Sequence, residues 1–115
     1  MKTSEFSRFL TQYLAHHLPV QRNLSSNTIR SYRDTFKLLL FFCRDEKGFN
    51  IAKLSLAKLD KKCIEDFLLW LANTRGSAPS TYNQRLCAIR AFFDYVMTEE
   101  PAYMEQCILI SNIPS

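Results

Sequence analysis

Ser26-Asn27-Thr28-Ile29-Arg30-Ser31-Tyr32-Arg33-Asp34-Thr35-Phe36-Lys37-Leu38-Leu39-Leu40-Phe41-Phe42-Cys43 is the stretch on which the reading of the fold turns. Ile29, Tyr32, Phe36, Leu39, Leu40 and Cys43 recur at steps of three and four, the repeat of one face of an α-helix. A half-buried strand would need a step of two, which is missing here. Ser26 stands just before the first of these positions, where a hydroxyl can accept from the free amides of a first turn. Gly48 is the expected stop. The stretch therefore predicts a long helix with a polar start and one apolar face turned to a core.

The same periodicity runs outward in both directions. Upstream, Phe6, Phe9, Leu10, Tyr13, Leu14, His17 and Leu18 predict a first helix from about Ser4 to Leu18, which Pro19 is expected to stop. Downstream, a connector from Phe49 to Leu59 carries Ile51, Leu54, Leu56 and Leu59 toward the core. Asp60 is the expected cap of a third helix with Ile64, Phe67, Leu68 and Leu71 inward, closed by Gly76. A fourth helix opens in Ser77-Ala78-Pro79-Ser80, where proline fits a first turn. Its inner stripe is Tyr82, Leu86, Ile89, Phe93 and Val96. Pro101 to Ile110 reads as a short acidic helix or docked tail with Met104, Cys107 and Ile108 on one side. The expected architecture is all-α, a compact bundle of four to five helices.

Composition narrows the function. In 115 residues there is room for one domain, and 47% hydrophobic residues supply its core. The apolar run Leu38 to Cys43 is far too short to cross a bilayer, so no membrane partner is expected. Met1-Lys2-Thr3-Ser4-Glu5 lacks the build of a secretion signal, and a cytoplasmic location is expected. Cys43, Cys63, Cys87 and Cys107 are widely spaced without finger-like spacing, so reduced core thiols are expected rather than a metal site. Net charge is +4, but its distribution matters more. No acid lies between Glu5 and Asp34, a window holding Arg8, Arg22, Arg30 and Arg33. None lies between Asp66 and Asp94, a window holding Arg75, Arg85 and Arg90. Such windows favour a polyanionic partner.

Catalytic patterns are missing from the sequence: there is no phosphate loop, zinc-protease motif or nucleophile elbow. His16 and His17 are neighbours on one helix and so point apart, and His17 reads as a rim histidine. The stronger constellation is at two helix starts. Ser26, Asn27, Thr28, Arg30, Ser31 and Arg33 crowd one; Ser80, Thr81, Asn83, Gln84, Arg85 and Arg90 crowd the other. Helix starts favour phosphate through free amides and the dipole. Asn and Gln can pair with adenine edges and Arg with guanine. Asn27, Arg30, Ser31 and Arg33 are expected to reach outward on the second helix; Thr81, Gln84 and Ala88 on the fourth. Caps and solvated arginines are the ordinary alternative.

At these starts the sequence resembles a known family. Ser25-x-x-Thr28-Ile29-x-x-Tyr32 with its following phenylalanines, and Thr81-x-Asn83-x-Arg85-Leu86-x-Ala88-Ile89-Arg90-x-Phe92-Phe93-x-Tyr95, resemble two helices of the N-terminal core-binding domain of phage-integrase-type tyrosine recombinases. Leu59-Asp60 followed by Ile64, Phe67 and Leu68 is similar to the segment between them, and Glu100 to Ser115 to the run-out toward the interdomain linker. The resemblance covers the chain from Phe6 onward. It implies a SAM-like bundle forming one half of a C-shaped clamp on double-stranded DNA, held through the starts of helices two and four. It also implies contact with other recombinase protomers on DNA, through the first helix. In the family the catalytic arginines, lysine, histidines and nucleophilic tyrosine lie in a downstream domain. No tyrosine here is therefore expected to act as nucleophile, and no cofactor, metal or small-molecule substrate is expected. Residues 1–110 are expected to form the core-binding domain and 111–115 the start of a linker. The alternatives are a helical protein-interaction module, using Met104, Cys107, Ile108 and Ile110, or a stand-alone DNA-binding regulator.

Overall fold

The computed structural model describes residues 4–114. Met1 to Thr3, read above for a leader, and Ser115, in the expected linker, lie outside the described residues. Five α-helices and no strand are found among the described residues, as periodicity predicts: α1 (Glu5–Gln12), α2 (Ser26–Asp45), α3 (Lys61–Asn73), α4 (Pro79–Glu99) and α5 (Met104–Ser111). None of them is long and apolar enough to cross a membrane. The chain divides into two compact units, one reaching Leu56 and one starting at Ala57.

In the first unit α1 begins at the Ser4 cap, whose hydroxyl accepts from the Ser7 amide at 3.1 Å. Pro19 does not stop the chain after α1 as expected. A π-helix, Tyr13–Gln21, carries the proline inside it. Proline is excluded from α-helix interiors by its clash with the carbonyl four residues back. The wider five-residue turn relieves that clash. The segment closes through Arg22 N–H to His17 O at 2.9 Å and Leu24 N–H to Leu18 O at 3.0 Å, with Asn23 at a φ of 51°. His17 stacks on the buried Tyr13 ring at 5.6 Å and its Nδ1 lies 2.8 Å from Gln21 Oε1, the satisfied rim position its spacing predicts.

The cap of α2 is Ser25 rather than Ser26. Its hydroxyl accepts from the Thr28 amide at 3.2 Å and lies 3.0 Å from the Thr28 hydroxyl. A Ser-Ser pair offers two candidate caps one residue apart, and the Thr28 hydroxyl favours the earlier. The helix ends at Asp45, short of the expected Gly48, whose φ of +67° turns the chain back so that Phe49 N–H reaches Cys43 O at 3.0 Å. Thr35, Phe36, Leu39, Phe42 and Cys43 are buried; Ile29, Tyr32 and Leu40 are half-buried. Phe6 and Phe36 rings meet at 6.5 Å. Each such side chain contributes about 1.5–3 kcal/mol of apolar burial.

In the second unit the Asp60 side chain caps α3 as expected, accepting from the Cys63 amide at 2.9 Å. Ile64, Phe67, Leu68 and Leu71 are all buried. Beyond α3, Gly76 at φ +63° lets Ser77 N–H return to Leu71 O at 3.0 Å. The stripe of α4 buries Leu86, Ile89, Phe93 and Val96, joined by Ala88, Phe92 and Tyr95. Phe92 and Phe93 pack edge-on at 5.3 Å. The expected last helix is divided: Pro101–Tyr103 is a 3₁₀ turn and α5 starts at Met104. Its buried positions are Cys107 and Ile110, while Met104 and Ile108 are 48% and 44% exposed, so the expected Met104-Cys107-Ile108 face is split.

Candidate nucleic-acid interface

The start of α2 presents Ser26, Asn27, Arg30 and Arg33 to solvent. Thr28 and Ser31 are half-buried, and both are engaged locally: Thr28 with the Ser25 cap, and the Ser31 carbonyl with the Thr35 hydroxyl at 3.3 Å. Three- and four-residue steps set Ser26, Arg30, Arg33 and Lys37 along one outward line. Among the described residues the Arg30, Arg33 and Lys37 side chains have no hydrogen-bond or ion-pair partner. Lys62, by contrast, pairs with Asp66 at 2.9 Å, and Arg44 with Asp45 at 2.8 Å. Lys37 was not anticipated. Its position seven residues after Arg30 is the signal that marks it.

The start of α4 differs in kind. Its N-cap is Ala78, which offers no side-chain hydrogen bond, with Pro79 in the first turn. The first amides are thus left without a side-chain acceptor, as at an anion-receptive helix end. Ser80, Asn83 and Gln84 are exposed; Thr81, Arg85 and Arg90 are half-buried. Ala88, expected outward, is 1% exposed and belongs to the core. The helix buries a wide arc here, and Ala88 falls on the same side as Phe92 and Tyr95, four and seven residues on. The outward line runs instead through Ser80, Asn83, Gln84 and Cys87. Cys87 is therefore an exposed thiol and not the core thiol expected, whereas Cys43, Cys63 and Cys107 are buried and free.

Elsewhere in the second unit an open cleft of about 440 Å³ lies between the start of α3 and α5. Asp60, Lys61, Lys62, Tyr103, Glu105 and Gln106 line it. Two of these are committed to structure, Asp60 as the α3 cap and Gln106, whose Nε2 donates to Leu59 O at 2.9 Å. Burial pushes the Cys107 thiol up to about 11, with the nearby Asp94 charge adding to it, so this group is an unreactive thiol.

Comparison with known proteins gives this arrangement its context. Residues 10–102 match the family described as phage integrase, N-terminal SAM-like domain. Two Sinorhizobium fredii proteins named as integrase/recombinase, y4rD and y4rC, are 35% and 34% identical over 91% and 99% of the chain. The tyrosine recombinase XerC of Thermodesulfovibrio yellowstonii is 28% identical over 91% of it. The chain spans about a third of the length of these relatives (37%, 34% and 31%). No solved structure matches. With the family's domain matched over most of its length and the all-helical fold in place, the chain belongs to the N-terminal SAM-like domain family of phage integrases.

Proposed function

We propose that this chain is a DNA-binding module with no catalysis of its own, gripping duplex DNA through the starts of α2 and α4. The observation that carries the reading is the line of Arg30, Arg33 and Lys37, exposed cations with no partner among the described residues, the two arginines lying in a window that holds no acid before Asp34. Unpaired arginines on a helix start are free to neutralise phosphate without first breaking an ion pair. The exposed amides of Asn83 and Gln84 add groups that match base edges. Family membership supports the same reading, as do the names of the relatives, which are recombinases and integrases.

In this reading residues 1–110 form the DNA-gripping domain and 111–115 begin a linker. Strand breaking and rejoining belong to other parts of a recombinase, and partner protomers assemble on the same DNA. Titration of the chain against duplex DNA over a salt series tests the proposal. Binding should weaken with salt at a log–log slope of about −0.9 per phosphate neutralised. An intact fold that ignores duplex DNA at low salt would instead favour a protein-interaction role, for which the exposed Met104, Ile108 and Leu109 of α5 are the available surface.

A further inference from the structure

We draw no further inference here: the strongest candidate, the exposed apolar face of Met104, Ile108 and Leu109 on α5 beside the open cleft at the start of α3, carries nothing because nothing in the structure shows what covers it.

Discussion

The Glu5 carboxylate accepts a 2.8 Å hydrogen bond from the backbone amide of Leu56, across most of the first unit's chain length. Beside it, Phe6 N–H donates to Leu54 O at 3.2 Å. Together these bonds hold the start of α1 to the connector, where Leu54 and Leu56 are buried. A buried amide that loses its acceptor costs about 1–3 kcal/mol. Glu5→Ala should therefore destabilise the chain by about that much, and Glu5→Gln by less, because its carbonyl can still accept. Urea unfolding midpoints of the three proteins check this. Equal losses for both variants would show that charge at the α1 start, and not the bond to Leu56, is what matters.

Thiol reactivity should separate Cys87 from the other cysteines. Of the four free thiols only Cys87 is exposed. Burial removes a thiol from reagent and disfavours its thiolate. Native protein should release one equivalent rapidly with a disulfide reagent, and all four after denaturation. Cys87→Ser should abolish the fast phase and leave the unfolding midpoint within about 0.5 kcal/mol of the parent. A fast phase that survives this substitution would mean another cysteine opens to solvent.

The elements are legible in the sequence because their periodicities are strong, and two of the departures share one cause. Each element's inner stripe follows from three- and four-residue spacing, and the α3 cap at Asp60 and the turn at Gly76 follow from side-chain chemistry. Spacing fixes the centre of a buried arc but not its width. Ala88 lies inside a wide arc on α4 although it faces away from the arc's centre, and Met104 and Ile108 lie outside the narrow arc of Cys107 and Ile110. Pro19 went astray for a different reason: rules for proline describe the α-turn, and the chain here takes the wider π-turn. At the candidate interface the cationic line was partly legible, since Arg30 and Arg33 stood out and Lys37 did not. Whether each is left without a protein partner depends on tertiary packing, which no local pattern encodes.

Alkaline pH should weaken the fold through Cys107. Its thiol is held protonated up to about 11, against an ordinary value of 9.0, by burial and then by Asp94. Below about pH 9 the thiol is protonated in both folded and unfolded chains and contributes no pH dependence. Between about 9 and 11 the unfolded chain loses its proton while the folded chain keeps it, so stability falls as pH rises. Cys107→Ala should be less stable at neutral pH, because a buried group is removed, but its stability should decline less steeply over that window. Unfolding free energies measured at a series of alkaline pH values give the two slopes. Parallel slopes would place the alkaline sensitivity elsewhere, for example at Tyr95, whose hydroxyl burial and Glu99 also push upward.

Arginines of the two helix starts should part company in stability. Arg30 and Arg33 are exposed, so their alanine variants should unfold within about 0.5 kcal/mol of the parent. Arg85 and Arg90 are half-buried, and an arginine so placed supports a fold through the packing of its methylene stem. Arg85→Ala and Arg90→Ala should each cost about 1 kcal/mol or more. Arg90 has a further feature: its Nε is out of solvent and makes no hydrogen bond. Leaving such a donor unsatisfied costs about 1–3 kcal/mol. Arg90→Met keeps the stem and removes that donor, so it should match or exceed the parent in stability where Arg90→Ala falls below it. Thermal unfolding of the two variants decides the point, and a Met variant as unstable as the Ala variant would show that the guanidinium itself supports the fold. A Met variant that keeps its stability and loses affinity for duplex DNA would instead place the Arg90 guanidinium in contact with DNA.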